Sequence, residues 1–272
     1  YRLKLFWADE FYYNDSKFYL FYTALNDTNH RGTGVAVSDY PMGPYMDLIG
    51  HSLTPPQFHC LDGHPFRDID GKYYLFYVYE WINPEAEGIG ELWVQEMSSD
   101  FTQLLGTPIS LFKGGDARWS GGVVDGPSML YANNKYYLFW SSFNQYHYGH
   151  YSVGYAYSDS IFGPYTQSQQ PLMTTDGGHS SWFIEQSSGK RMIVYHSPNR
   201  GPERVQIKEL LWDDADNKWY VEPPEDLGIF GPYPEIVFSI LLYGAIGLVC
   251  FITVIFVSLP LVKRNKRNKK QI

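Results

Sequence analysis

Cysteine is nearly absent. Cys60 and Cys250 are the only two in 272 residues, and one falls inside an uncharged apolar run, so no disulfide framework of the kind that staples small secreted modules is available. Positive charge is scarce too. The formal charge is −8, and setting aside the six basic residues of the terminal KRNKRNKK leaves about −14 for the rest, which argues against a grip on nucleic acid or an anionic surface. The GxSxG, HExxH, GxxxxGK[ST] and CxxC motifs are all missing, which removes the commonest serine hydrolase, zincin, P-loop and dithiol chemistries. No helical hydrophobic period occurs before residue 236, and helical solenoids are excluded with it.

What the chain has in excess is aromatic surface. Aromatics make up 18% of the residues, with 24 Tyr, a composition that favours strands and supplies flat amphipathic faces on which sugar rings can lie. They come in register. LDGHPFRDIDGKYYLFYV at 61–78 returns 63 residues later as VDGPSMLYANNKYYLFW, each with an Asp-Gly pair 11 positions before Tyr-Tyr-Leu-Phe. Related runs start at Phe18 and Arg191, each preceded by a strand and turn (FWADEFYYNDS, GGHSSWFIEQSSG) and followed by another strand candidate. The Asp-Gly of the second unit and the Ser-Gly of the fourth suit tight hairpins. SDYPMGPY and SDSIFGPY recur after the third strand, where Gly-Pro turns the chain toward an outermost strand. Units of three or four strands every 50–60 residues describe the blades of an all-β propeller. Four blades are visible over residues 1–221; they could close as a four-bladed ring, but a five-bladed ring with its first blade upstream of Tyr1 explains more, since the chain opens with neither Met nor an apolar leader.

Residues 236–262 hold no charge, and as one transmembrane α-helix they would span about 40 Å, enough for a bilayer core of about 30 Å. The basic tail at 263–272 places the C-terminus in the cytoplasm and the propeller outside it. This is a single-pass type I arrangement with membrane lipid as a partner, at the cell surface or, since KKQI resembles a dilysine retrieval signal, in the endoplasmic reticulum. Residues 222–235 are rich in Pro and Gly and read as a stalk. Two N-x-[ST] sequons, at Asn14 and Asn26, fit a glycosylated exterior.

Opening strands of propeller blades run beside the central channel, so Asp62 and Asp125, repeated at their starts, are expected to face one cavity, with His179 facing it from the last blade. Two carboxyls there can divide the work of acid and base on a glycosidic bond. Taken singly, each Asp-Gly reads as a turn or β-bulge whose Asp caps backbone groups, and it is the repeated register that turns the reading toward a shared site. Glu80, beside Trp81, and Trp119, in the Gly-rich DARWSGG loop, are candidate sugar contacts, against the plainer readings of a surface Glu and a Trp closing the propeller's bottom. His147 and His150 lack the acidic or Cys neighbours of a metal site.

The order FWADEFYY, CLDGHPFRDIDGKYYLFYVYEW, VDGPSMLYANNKYYLFWSSF, GGHSSWFIEQSSGKRMIVYH resembles glycoside hydrolase family 43, five-bladed propellers that include arabinanases, β-xylosidases and arabinofuranosidases. The resemblance covers residues 5 to about 212. It implies an inverting glycosidase in which Asp62 is the carboxylate that tunes and orients the acid, and Asp125 is the proton donor. His64, Glu80, Trp119 and His179 would lie around the oligo- or polysaccharide, and Glu10 would belong to the framework. His179 would also lie near an axial calcium or water cluster, contacting a metal through water, and the reaction requires no cofactor. Two departures stand out: the base would lie upstream of Tyr1, and the acid is Asp rather than Glu, one methylene shorter. The competing expectations are therefore a membrane-anchored glycosidase, a sugar-binding or adhesive propeller that has lost the reaction, and a protein-interaction propeller without a sugar site.

Overall fold

The computed structural model describes residues 4–25, 29–80, 88–147 and 149–221, all within one compact unit, Tyr1–Pro223. The expected stalk, membrane helix and basic tail, the Asn26 sequon and Trp81 lie outside the described residues. No helix among the described residues is long and apolar enough to cross a membrane.

Four antiparallel units follow one another, each of four strands. Blade A holds β1 (Lys4–Asn14), β2 (Lys17–Leu25), β3 (Arg31–Ser38) and β4 (Met46–Asp47). Blade B holds β5 (Cys60–Arg67), β6 (Tyr73–Tyr79), β7 (Glu91–Met97) and β8 (Leu104–Lys113). Blade C holds β9 (Asp125–Ala132), β10 (Lys135–Phe143), β11 (Tyr151–Ser158) and β12 (Thr166–Gln167). Blade D holds β13 (Gly178–Ile184), β14 (Arg191–Ser197), β15 (Arg204–Asp213) and β16 (Lys218–Val221). A single parallel pairing, Gly32 with Cys60, joins blades A and B at their edge.

Stacking of blades explains the Tyr-Tyr-Leu-Phe runs. In β6, Tyr73, Leu75 and Tyr77 pack with Phe21, Val35 and Phe101 of the A–B layer. Tyr74 and Phe76 on the opposite face pack with Met129, Leu138 and Trp140 of the B–C layer. β10 repeats this, with Tyr137 and Phe139 meeting Ile193, Tyr195 and Trp219 of blade D. A middle strand buried on both faces has no solvent side, so its sequence is continuously apolar rather than alternating. The outermost faces differ. Phe11 and Tyr13 of blade A are 51% and 58% exposed, and Val205 and Ile207 of blade D are 72% and 53% exposed.

Two hairpins depart from expectation. The tight two-residue turns are Asp15-Ser16 and Asn133-Asn134, all four residues left-handed. Asp70-Gly71 sits instead in a wider loop closed by Asp68 N–H to Lys72 O (2.8 Å), and Ser188-Gly189 in one closed by Glu185 N–H to Lys190 O (2.9 Å). Asn tolerates positive φ through its short polar side chain, so Asn-Asn can form the tighter turn. The recurring Gly-Pro-Tyr segments behave as expected: Tyr45 and Tyr165 each donate back to a carbonyl four residues earlier (3.0 Å in both) and lead into β4 and β12.

A candidate active site at the inner ends of the blades

Each first strand carries a β-bulge near its start. Two residues face one across the hairpin at Ala8-Asp9, Asp62-Gly63, Gly126-Pro127 and His179-Ser180. The leading residue of every pair is left-handed: Ala8 (φ 51), Asp62 (φ 56), Gly126 (φ 52) and His179 (φ 50). Such bulges bend a strand and re-aim its side chains, here into a common cavity of about 860 Å³ lined by Trp7, Asp9, Glu10, Asp62, Asp125 and His179 among others. Equal spacing in the sequence conceals an offset. The β5–β6 loop is one residue longer than the β9–β10 turn, so Asp62 occupies the bulge while Asp125 precedes it, in the place that Trp7 holds in blade A. The two carboxylates are therefore not structural equivalents, yet both reach the same space.

Asp62 is 4% exposed. Its Oδ2 accepts from the amide of Gly126 (3.2 Å), and its own amide donates to Thr23 Oγ1 (2.9 Å), pinning the carboxylate beside the neighbouring blade. A Cβ on Gly126 would fall 2.9 Å from His179 Cα, so glycine is needed here for the close approach, whereas the same left-handed turn is made by Ala8, Asp62 and His179 in the other blades. His179 Nδ1 stands 3.9 Å from Asp62 Oδ2.

Asp125 Oδ2 accepts from the hydroxyl of Tyr151 (2.9 Å). Burial pushes the Asp125 carboxyl up to about 7, and the Asp62 charge adds to this, while the Tyr151 hydrogen bond and His179 oppose it. A carboxyl so raised is suited to carry a proton close to neutrality, which general-acid chemistry requires. Burial, followed by the Asp125 and Asp62 charges, raises the Tyr151 phenol well above its ordinary value, so it stays a donor. Gly178 lets Tyr151 in, since a Cβ there would meet its ring at 2.2 Å.

Glu80 lines the same cavity and pairs with Arg31, which donates through Nε (2.8 Å) and through its terminal nitrogen. Burial raises the Glu80 carboxyl, opposed by Arg31. The Arg31 guanidinium also lies 4.9 Å from the ring centre of Trp7, a cation–π contact that fixes an aromatic 43% exposed in the cavity wall. Asp9, lifted by burial with His179 opposing, completes the lining.

Two of the expected sugar contacts are elsewhere. Trp119 is 2% exposed, with its ring centre 4.9 Å from that of Trp140 in the B–C core; a Gly-rich loop has few side chains to bury, so its one large ring became the anchor. His64 is 8% exposed and lies beneath the cavity. Its Nε2 accepts from Met129 N–H (3.1 Å), which leaves the proton on Nδ1, facing Glu10 Oε1 at 3.6 Å. It ties three blades together. Glu10, also buried, accordingly belongs to this framework. His147 and His150 close a turn and line no part of the cavity. Among the described residues no group of three or more His, Cys, Asp or Glu is placed to hold a metal ion, and the near neighbour of His179 Nδ1 is the Asp62 carboxylate. Asp9, Trp7 and Tyr151 were not singled out from the sequence. FWADE occupies the repeat position of LDGH and was the available signal for the first two; nothing in the spacing points to Tyr151.

Stacked four-stranded blades whose bulged inner strands deliver carboxylates to one cavity define a propeller of the glycoside hydrolase kind. The model of the glycosyl hydrolases family 43 matches residues 2–219, and the chain belongs to that family. It is similar to an endo-arabinase of Bacteroides thetaiotaomicron, with 34% identity and a TM-score of 0.73 over 78% of this chain and 77% of the other. A thermostable family-43 glycoside hydrolase gives 29% identity and a TM-score of 0.72, covering 80% and 75% of the two chains. Among curated relatives, a beta-D-galactofuranosidase of Aspergillus niger is 26% identical over 65% of this chain and 50% of its own length. A beta-xylosidase of Bacillus subtilis is 27% identical over 76% and 42%. The chain thus spans about half the length of these two curated relatives or less.

Proposed function

We propose that the protein hydrolyses glycosidic bonds in arabinose- or xylose-containing glycans, with inversion, and that Asp125 donates the proton to the leaving oxygen. What carries this is the position of the Asp125 carboxyl, in a cavity shared with Asp62 and held by Tyr151, where burial pushes it up to about 7. The Asp62 carboxylate accepts from the Gly126 amide and the Thr23 hydroxyl, so it supplies a stationary negative charge that helps to keep the proton on Asp125. Tyr151 aims the donor oxygen. Trp7, braced by Arg31, offers a ring face to the sugar.

The base that activates water belongs, in this reading, to a fifth blade covering the exposed faces of Phe11 and Tyr13 on one side and Val205 and Ile207 on the other. Those faces are apolar and the cavity opens between them. Residues 236–262 would span a membrane and 263–272 would be cytoplasmic, placing the propeller extracellular or lumenal. The uncharged run and the basic tail support this. The adhesive alternative, raised by Asp in place of Glu, is less favoured, because a carboxyl pushed up by burial costs stability that mere binding does not require.

The test is leaving-group dependence in the intact protein. Asp125→Asn should lower kcat on arabino- or xylo-disaccharides by about 10²–10⁴. On 2,4-dinitrophenyl glycosides, whose leaving group needs no proton, the loss should be far smaller. Equal losses on both substrates would remove Asp125 as the donor.

A further inference from the structure

Where a first strand leaves its ladder at the bulge, backbone amides are released and need new acceptors. In two of the blades a hydroxyl of the preceding blade supplies one. The middle-strand residue paired with the last residue before the bulge is Thr23 in blade A, Val78 in blade B and Ser141 in blade C, the sixth position of the runs FYLFYT, YYLFYV and YYLFWS. All three are fully buried. Each lies on the face that packs against the following blade, two residues beyond Phe21, Phe76 and Phe139 of the successive layers. Thr23 Oγ1 accepts from the amide of Asp62 (2.9 Å), and Ser141 Oγ accepts from the amide of His179 (2.9 Å). The same pattern would send the Gly126 amide to residue 78. Valine has no hydroxyl, and the amide goes instead to Asp62 Oδ2 (3.2 Å).

A carboxylate standing in for a hydroxyl ties the two acids of the site together. The Gly126 amide belongs to the peptide group that joins it to Asp125, so Asp62 is bonded to the backbone of the residue whose proton its charge affects. Blade A holds Asp62 from the other side. Thr23 takes its amide and also donates to Oδ1 (3.4 Å), while Thr33 Oγ1 takes the amide of Gly63 (3.1 Å). A Cβ on Gly63 would meet the Thr33 methyl at 2.4 Å, so glycine is what admits that threonine. Thr33 is held in turn, its amide donating to Thr54 Oγ1 (3.0 Å).

We propose that Thr23 is a positioning residue for Asp62, and that the apolar Val78 commits the other oxygen of that carboxylate to the backbone of Asp125, so that bonds to both neighbouring blades fix the spacing of the two acids. This rests on Asp62 helping to keep the proton on Asp125.

The experiment reads that proton without requiring turnover. Urea denaturation of the full chain across pH 5–8 gives the pH at which stability stops falling, which follows the proton affinity of Asp125 in the fold. Thr23→Val keeps the side chain's shape and removes the hydroxyl. Asp62 then exerts its charge from a less fixed position, so that pH should move down by about half a unit. Thr23→Ser, which keeps the hydroxyl, should leave it in place. Val78→Thr offers the Gly126 amide a hydroxyl and releases Asp62 Oδ2; it should move the pH in the same direction with Thr23 untouched, and so serves even if Thr23→Val does not fold. On disaccharides the basic limb of kcat/KM should follow each variant. A hydroxyl that served only packing would lower stability equally at every pH. Such a uniform loss in Thr23→Val, the same shift in Thr23→Ser as in Thr23→Val, or an unmoved pH in Val78→Thr overturns the proposal. Asp62→Asn separates it from its premise. If Asp62→Asn leaves the pH dependence where it was, the tuning of Asp125 by Asp62 fails; if it moves that dependence while Thr23→Val does not, the tuning stands and the positioning role of Thr23 falls.

Discussion

Replacing Asp125 by Asn should stabilise the protein in alkaline solution while impairing its chemistry. The Asp125 carboxyl moves from an ordinary 3.8 to about 7 on folding, so between those two values the folded state binds a proton that the unfolded chain has released. Stability therefore falls as pH rises through this window, at up to about 1.4 kcal/mol per pH unit, and levels off above about 7. The full span is about 4 kcal/mol, of which about 3 kcal/mol lies between pH 5 and pH 8. Asn carries no proton to lose and can still accept from Tyr151 through its amide oxygen, so the variant lacks this slope. Urea denaturation of both proteins at pH 5 and pH 8 measures the difference directly. The variant's advantage should grow by about 3 kcal/mol between the two conditions. An advantage that is the same at both, or larger at pH 5, would show that Asp125 does not hold its proton in the fold and would refute the assignment of proton donor with it.

Two other perturbations bear on the site. Asp62→Asn removes the second-largest cause of the Asp125 shift; since activity needs Asp125 protonated, the basic limb of the kcat/KM profile should move to lower pH by roughly one unit. A limb that stays in place would mean burial alone sets the acid. Trp119→Ala should cost about 3–5 kcal/mol of stability in chemical denaturation, as loss of a fully buried ring does, where a solvent-exposed sugar platform would cost almost nothing.

The blades were legible in the sequence because a propeller repeats its physics. Every middle strand sandwiched between blades must be apolar on both faces, so Tyr-Tyr-Leu-Phe recurs wherever β6 and β10 need it. The recurring Gly-Pro-Tyr turns were legible for a similar reason, since both tyrosines close the same backbone loop. Solvent exposure was not. Trp119 and His64 carry side chains of the kind that contact sugars, and a local sequence does not say which layer a loop lies against; the answer depends on Trp140 in one case and on Met129 and Glu10 in the other, all distant in the chain.

Asp62 and Asp125 were matched for a reason that turned out to be incomplete. Both stand 11 residues before an aromatic run, but the loop after β5 is one residue longer than the turn after β9, so the shared count conceals a one-residue difference in register. That difference has chemical content. On a bulged strand one step changes the direction of the side chain: the residue in the bulge turns toward the adjacent blade, where Thr23 and the Gly126 amide satisfy Asp62, and the residue before it faces the cavity with Tyr151 as its only hydrogen-bond donor among the described residues. Two identical side chains thus meet different partners because of a difference in hairpin length. Had the two loops been equal, both carboxylates would have stood at the same step of their strands, and Asp125 would have occupied the bulge that Gly126 now holds.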